Sequence, residues 1–241
     1  MALTPTGVFS RPNFKLRSML AQCATVQSLL RGSTAAAALA VILDEGEEGE
    51  WERPFIYVTS PEDSPQVLAG GTRTYFKPHG RISAHIEIPR VWTGEITGQT
   101  DASNFADANQ NNRANDFFNG LNLRMETGAR DGEERSILDF VGASGAFVLA
   151  SALSGAVAIG DQYSILPDSE ADAHIFFKNL IGAIRSELLA LSGLGTADAL
   201  DPDGMGYLAL QSIRIADWGE SLDDKEDARY FGAQIEAEFG V

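Results

Sequence analysis

The chain has 241 residues and carries 34 acidic against 18 basic side chains, which gives a formal net charge of −16 at pH 7. Proteins that grip nucleic acid through its phosphates need lysine and arginine, so this balance argues against such a protein. Hydrophobic residues make up 44% of the chain, enough for a folded domain with a real core. The single cysteine, Cys23, excludes an intrachain disulfide and fits a reducing compartment.

The first fifty residues predict two helices and then an acidic segment. Asn13 can cap a helix that ends at Gly32, because apolar residues recur there at spacings of three and four. These residues are Leu16, Met19, Leu20, Cys23, Val26, Leu29 and Leu30. Cys23 therefore reads as a small buried hydrophobe. Ser33 or Thr34 can cap a second, alanine-rich helix that runs to Leu43.

Six acids fall within the nine residues from Asp44 to Glu52. Such a run is typical of a solvated loop, and it also fits an acidic loop placed where DNA or a partner passes. After it, residues 53–60 predict a strand. Residues 81–91 predict the clearest strand of the first half, since apolar and polar residues alternate along it. The apolar set is Ile82, Ala84, Ile86 and Ile88, and the polar set is Arg81, Ser83, His85 and Glu87.

Residues 96–167 differ in composition from the chain on either side of them. Their first half is rich in Asn, Asp, Gly and Arg, and residues 146–166 predict two strands. Phe140 to Gly160 is uncharged over 21 residues, the length of a membrane span. Its glycines and serines favour a buried hairpin instead. We interpret 96–167 as a β-rich insertion into a core domain formed by 1–95 and 168–241.

The last part of the chain predicts one amphipathic helix followed by two strands. Asp168 or Ser169 can cap the helix, and Asp172 stands where a capping box has its acid. The apolar face of this helix is Ala173, Phe176, Phe177, Leu180, Ile184, Leu188 and Leu191. The strands are expected at Tyr207–Asp217 and at Phe231–Phe239, with a long acidic loop between them that begins after Trp218. That loop is a solvated tip, or it projects into a shared lumen or onto a neighbouring subunit.

Residue patterns for catalysis and metal binding are weak throughout. Asp107 opens a segment with the spacing of a calcium loop, but Asn112 and Phe118 stand where that loop needs Gly and Glu. The histidines are too scattered for a metal site, although His85 and Glu87 share one strand face. We find no nucleophile elbow, no phosphate-binding glycine loop and no dinucleotide fingerprint. The sequence therefore predicts no enzyme, no cofactor and no metal.

The order of elements resembles that of the tail-terminator and neck proteins of long-tailed bacteriophages. The resemblance lies in the opening helix 16–30 with the short helix and strand that follow, in the strand at 80–89, in the helix at 176–193 and in the final strand at 230–240. It covers about 150 residues as a pattern of elements, and residues 96–167 depart from the compact members of that family.

The resemblance implies an α+β subunit, with a central, mostly antiparallel sheet and helices packed on one of its faces, plus the β-rich insertion. It implies a six-membered ring that caps the tail tube and joins it to the head connector. Its partners would be further copies of the chain, the tail tube protein and the connector protein. DNA would pass through without specific binding, because an acidic lumen does not hold it. The expected location is the host cytoplasm during assembly and then the virion.

Ten residues are predicted to lie at the lumen or between subunits. They are Asp44, Glu45, Glu47, Glu48, Trp218, Glu220, Asp223, Asp224, Glu226 and Asp227. Two alternatives stay open at this stage. One is a head-completion, connector or baseplate component of the same virion. The other is an acidic enzyme or binding module with its site in 96–167.

Overall fold

The computed structural model of the chain describes residues 10–44, 53–59, 62–63, 66–70, 73–77, 79–99, 101–191, 209–223 and 228–240. The helices are α1 (Ser10–Gln22), α2 (Ala24–Leu29), α3 (Ala35–Val41) and α4 (Glu170–Leu191), with 3-10 turns at Ala108–Gln110 and Gly128–Arg130. The strands are β1 (Leu43–Asp44), β2 (Phe55–Val58), β3 (Glu62–Asp63), β4 (Gln66–Gly70), β5 (Arg73–Lys77), β6 (His79–Pro89), β7 (Trp92–Glu95), β8 (Gly98–Gln99), β9 (Asn104–Ala106), β10 (Asn122–Met125), β11 (Glu134–Val141), β12 (Ala146–Leu149), β13 (Gln162–Leu166), β14 (Ala209–Asp223) and β15 (Ala228–Gly240).

The main sheet has the order β1-β2-β6-β15-β14, and β3 also pairs with β6. Only the β1–β2 pair is parallel among the described pairs of this sheet; all others are antiparallel. The alternation predicted for residues 81–91 is correct, since Ile82, Ala84, Ile86 and Ile88 are all buried. The helices pack on this apolar face, where the Phe177 ring of α4 stacks on Phe231 of β15 at 5.0 Å. The predicted α+β class is confirmed.

The opening helix differs from the prediction in two ways. It begins at Ser10 instead of Asn13, and it is interrupted at Cys23, whose φ of −66° and ψ of 123° are extended. The predicted apolar face is still correct: its residues from Leu16 to Leu29 are buried, Cys23 included. Thr34 caps α3 by accepting a hydrogen bond from the Ala37 backbone N–H at 3.2 Å, but α3 ends at Val41.

Helix α4 begins as predicted from its capping residues. The Ser169 hydroxyl accepts a hydrogen bond from the Asp172 N–H at 3.2 Å and donates one to the Asp172 carboxylate at 2.5 Å. Five residues of the predicted face are fully buried: Ala173, Phe177, Leu180, Ile184 and Leu188. Leu191 is 40% exposed, so the prediction was wrong for the last turn.

A second sheet, with the order β7-β13-β10-β11-β12-β9-β8, is antiparallel throughout. Its two end strands, β7 and β8, are successive parts of one segment, residues 92–99. The linking residues are also paired, since Ile96 N–H donates to the Asp161 carbonyl at 2.9 Å and Thr97 N–H to the Ala106 carbonyl at 3.0 Å. The sheet therefore closes on itself as a six-stranded barrel, counting β7 and β8 as one strand.

The barrel holds an aromatic core. Phe147 lies 4.8 Å from Phe140, 5.5 Å from Phe105 and 5.6 Å from Tyr163, measured between ring centroids. Phe118, from the loop between β9 and β10, lies 5.0 Å from Phe140. All five rings are buried. This aromatic group is continuous with the core of the main sheet and its helices, since the Phe117 ring lies 5.7 Å from Trp92 and 5.9 Å from Phe176 of α4.

The barrel corresponds to the region interpreted as an insertion, with its first strand beginning slightly earlier, at Trp92. The buried hairpin predicted inside 140–160 is wrong: β12 pairs with β11, which lies mostly before residue 140, and with β9, while residues 150–160 form no strand and are mostly exposed. The second strand predicted in 146–166 is shorter than expected and covers only Gln162–Leu166. Among the described residues, no helix combines the length and apolarity that a membrane crossing needs.

Candidate interaction surfaces and the buried polar junction

Asp44 ends β1, at one edge of the main sheet, and its carboxylate is held by the first helix. It pairs with the Arg17 guanidinium and accepts a hydrogen bond from the Asn13 amide at 3.1 Å. Arg17 also donates to the Ile42 carbonyl at 2.6 Å. Asp44 therefore ties α1 to the start of the sheet. The other predicted acids of this segment, Glu45, Glu47 and Glu48, lie outside the described residues.

The second acidic group lies at the opposite edge of the same sheet. Trp218, Glu220 and Asp223 belong to β14, where they pair with Ala233, Phe231 and Ala228 of β15. The long loop predicted after Trp218 is thus wrong, because the strands continue to Asp223 and resume at Ala228. The hydrogen-bonded pairing of β14 with β15 includes charged residues that the sequence assigned to a loop. Asp224, Glu226 and Asp227 lie outside the described residues.

The order β1-β2-β6-β15-β14 separates Asp44 from β14 by four strand spacings, or about 19 Å at the usual distance between strands. Among the described residues, one copy of the chain therefore keeps Asp44 apart from Trp218, Glu220 and Asp223.

The face of the main sheet opposite the helices carries polar and aromatic side chains that pack on one another. The Arg53 guanidinium carbon lies 4.0 Å from the ring centroid of Tyr230, and its Nε donates to Glu87 at 3.0 Å. The His85 ring stacks on Tyr57, with centroids 4.6 Å apart and planes 8° apart. His85 and Glu87, which the sequence places on one strand face, thus point to different partners. Within the described part of the chain, no group of His, Cys, Asp or Glu could hold a metal ion.

One end of the barrel contains a buried polar cluster. Asp107 is 0% exposed, and its carboxylate accepts hydrogen bonds from the Tyr163 hydroxyl at 2.8 Å, the Asn109 N–H at 2.8 Å and the Glu95 N–H at 3.3 Å. Burial, followed by the negative charge of Asp107, raises the pKa of Tyr163 well above its usual value. Tyr163 therefore stays a hydrogen-bond donor. A Cβ on Gly94 would overlap the Tyr163 hydroxyl, so glycine is needed there.

Arg113 lies beside this cluster and links the barrel to the helices. It is 7% exposed, and its Nη1 donates to the Ser28 and Leu29 carbonyls of α2 at 3.2 and 3.1 Å. Its Nε donates to the Gln110 side-chain oxygen at 2.9 Å. The guanidinium carbon lies 4.7 Å from the Trp92 ring centroid. Burial, and then the charge of Arg31, lowers the pKa of Arg113 to about 9, so the group still carries its charge at pH 7.

Two further contacts cross the same boundary. The Ala114 N–H donates to the Ser28 hydroxyl at 2.6 Å, and the Arg31 guanidinium donates to the Asn109 carbonyl. Together with Arg113, they join the end of α2 to the loop between β9 and β10. We call this set of contacts the junction. The junction consists of hydrogen bonds to backbone groups and of cation–π packing by Arg113. These contacts orient the barrel relative to the helices.

Sequence reasoning missed the junction. It considered Asp107 only as a failed calcium loop and did not consider Arg113 or Tyr163 at all. One signal was present: Arg113 is the only basic residue between Asp101 and Leu123, and two phenylalanines follow it closely. A lone arginine near aromatic residues is a candidate for burial by cation–π packing.

The chain was compared with known proteins. No protein-family model matches it, and a search of curated proteins gives no match.

Proposed function

We propose that the chain is a structural virion protein, a tail terminator whose copies form a ring that caps the tail tube and joins it to the head connector. The ring acts through shape and charge, without covalent chemistry. The proposal starts from the order of elements in the sequence and gains support from the main sheet, which is mostly antiparallel and covered by helices on one face.

The open edge of β14 carries the proposal. This strand is 15 residues long, and its outer side pairs with no other strand in the part of the chain that the structure describes. A long edge strand presents a row of backbone donors and acceptors to other chains, and natural proteins usually cover such an edge. In a ring of identical copies, a different surface of the neighbouring copy contacts each β14 edge, which is a heterologous contact.

The charge distribution also supports a ring through which DNA passes. Ten residues are predicted to lie at the lumen or between subunits. Three of them belong to the edge strand β14: Trp218, Glu220 and Asp223. Ring closure would place this segment in every subunit at the same radius. With a net charge of −16 per copy, the wall would repel DNA instead of binding it.

Electron microscopy of the purified chain tests the proposal directly. We expect six-fold rings, and we expect tail tube protein that assembles with the chain to give tubes of uniform length. A chain that stays monomeric and leaves the length of the tubes unregulated would contradict the proposal.

Charge reversal tests the role of the acidic segment. Changing Glu220, Asp223 and Asp224 to lysine should leave the near-UV circular dichroism unchanged and reduce infectivity by impairing DNA passage or tail joining. The control reverses three exposed acids elsewhere, Glu95, Asp131 and Glu170, with the same change in net charge. Equal infectivity of the two variants would show that the acidic segment is only a solvated surface.

A further inference from the structure

Several described strands lack a neighbour on one side. The two-residue strands β1 and β3 are among them, but the longest such edge in the main sheet is that of β14. The β4–β5 hairpin also pairs with no further strand and forms a two-stranded sheet by itself, with Gln66 opposite Lys77 and Gly70 opposite Arg73. In a single copy β14 and the hairpin do not pair with each other.

Each of these elements needs a particular kind of partner. An isolated two-stranded hairpin is marginally stable in water, because it lacks further strands or a helix to pack against. An open edge strand binds another extended segment, since only a strand satisfies its regularly spaced backbone groups. The hairpin is such a segment, and every copy of the chain carries both elements.

The hairpin is placed at the end of the main sheet. A single residue, at position 78, separates β5 from β6. His79, the first residue of β6, pairs with Gly240 of β15, and Gly240 pairs in turn with Ala209 of β14. The hairpin is therefore joined to the end of the main sheet at which β14 begins.

We propose that the β4–β5 hairpin of one copy adds to the outer edge of β14 in the next copy, so that the main sheet continues across the subunit boundary. The proposal rests on the ring of the proposed function and names the contact that builds it. Each copy gives one hairpin and receives one, which is a head-to-tail contact that closes as a ring or runs on as a filament.

β14 is longer than a strand of the hairpin, so the hairpin contact leaves part of the β14 edge for a second role. A five-residue strand covers about 17 Å of edge, whereas the 15 residues of β14 span about 50 Å. One hairpin therefore occupies about a third of the edge. We assign it to the first third, near Ala209, because the hairpin extends from that end of the sheet. The acidic part, from Trp218 to Asp223, then stays outside this contact.

Cysteine cross-linking tests the contact in the full-length protein. Copies that carry Thr74→Cys in β5 are mixed with copies that carry Ser212→Cys in β14 and treated with a short bismaleimide. The native Cys23 does not interfere, since it is 1% exposed and burial raises its pKa to about 12. The control mixture pairs Thr74→Cys with Ser136→Cys, at an exposed position of the barrel.

We expect at least about tenfold more covalent dimer in the first mixture than in the control, because contact raises the effective concentration of the two thiols far above micromolar. The double variant Thr74→Cys with Ser212→Cys should give a ladder whose last band counts the subunits of the ring. Equal dimer yields in the two mixtures, or a double variant that cross-links only within one chain, would overturn the proposal.

A second variant separates this inference from the proposed function. Replacing residues 66–77 by a short Gly-Ser turn should convert rings to monomers while the near-UV circular dichroism is kept. If this variant still forms rings, the hairpin contact is wrong and the ring stands. If the double variant Thr74→Cys with Ser212→Cys forms cross-linked filaments instead of rings, the contact stands and the tail-terminator function is wrong.

Discussion

The two sheets of this molecule differ in whether they have open edges. The barrel has no edge, because β7 and β8 are parts of one segment that pairs with β13 at one end and with β9 at the other. The main sheet is open, and it ends in β14, a 15-residue strand without an outer neighbour among the described strands. A closed sheet exposes no unpaired strand edge, whereas an open sheet leaves the backbone donors and acceptors of its edge strands available to another strand.

Their cores differ as well. The barrel packs aromatic rings against one another, with Phe118, Phe140 and Phe147 at its centre. The main sheet buries aliphatic strand residues under helices and depends on α4 to cover β15. The barrel contacts the helices through the junction and through the Phe117 ring, which lies 5.9 Å from Phe176 of α4. The main sheet is the part of the described chain that a further strand could extend.

The largest expected effect on stability comes from disrupting the packing of α4 on the main sheet. Changing Phe177 to Asp places an unpaired charge where a buried ring stacks on Phe231, and we expect a loss of more than about 4 kcal/mol in the free energy of unfolding. For a marginally stable protein, this abolishes cooperative folding. Urea denaturation followed by circular dichroism measures the effect.

The matched control for this change lies on the other side of the same helix. Ile175 is 54% exposed, so Ile175→Asp should fold with a nearly unchanged urea midpoint. A soluble Phe177→Asp variant with a cooperative transition at the native midpoint would show that α4 does not hold the main sheet as described.

The junction provides the next test, since it decides whether the barrel and the main sheet are energetically joined. Arg113→Met keeps much of the side-chain volume but removes the charged donor to the Ser28 and Leu29 carbonyls, of which Ser28 still accepts from the Arg31 N–H at 3.3 Å. We expect a loss of about 3 kcal/mol, because buried groups that lose a charged partner keep their desolvation cost. The control is Arg124→Met, whose side chain is 51% exposed and should contribute less than about 1 kcal/mol.

The shape of the unfolding curve adds information to the size of the effect. If the junction couples the two sheets, Arg113→Met should split one transition into two, with the barrel unfolding at the higher urea concentration. A single transition with an unchanged midpoint would mean that the junction contributes nothing to the coupling.

The sequence predicts β6 and α4 well for a physical reason. Alternation on β6 and the spacing of apolar residues on α4 are local patterns, and each element shows its buried face within a few residues. The break at Cys23 is different. It frees the Thr25 N–H, which donates at 3.1 Å to the carboxylate of Glu187, 162 residues further along the chain. A cap supplied from so far away leaves no signal near the break.

The barrel is also difficult to predict from local sequence patterns, and this affects more residues than the break at Cys23. Its strands are short, and Asn104 and Asp107 resemble loop residues because their side chains hydrogen-bond nearby backbone or side-chain groups. What makes them part of a closed sheet is pairing between segments far apart in sequence. The junction depends on the fold in the same way, since Arg113 becomes recognisable only when α2 lies next to it.

A smaller effect is expected from the polar cluster inside the barrel. Tyr163→Phe removes the hydroxyl that donates to the buried Asp107 and keeps the ring in the aromatic core. We expect a loss of about 1–2 kcal/mol, the usual cost of one hydrogen bond whose acceptor stays buried. Tyr230→Phe, at a half-buried position on the open face of the main sheet, is the control. Equal losses for the two variants would show that the cluster contributes nothing special to barrel stability.

The smallest effect concerns the outer surface of the barrel and depends on pH. Glu133 accepts hydrogen bonds from the Ser154 hydroxyl and from the Ser154 N–H, the latter at 2.8 Å, and it lies 3.3 Å from Arg135. The Ser154 side chain, the Ser154 N–H and the nearby arginines lower the pKa of Glu133 below its usual value. A carboxyl with a depressed pKa in the folded state stabilises the fold above its unfolded pKa, and this contribution disappears as the pH falls through the folded pKa.

Glu133→Gln should therefore lower the urea midpoint slightly at pH 7, and the gap between variant and native protein should close as the pH falls through the depressed pKa of Glu133. Glu134→Gln makes the same change of charge one residue away and tests for a general electrostatic effect. Because the contacts of Glu133 hold the segment around Ser154 against the barrel, the effect should appear in barrel probes and leave the unfolding of the main sheet unchanged. A gap that does not shrink as the pH falls, or one that is equal for both variants, would show that these hydrogen bonds do not stabilise the closed sheet.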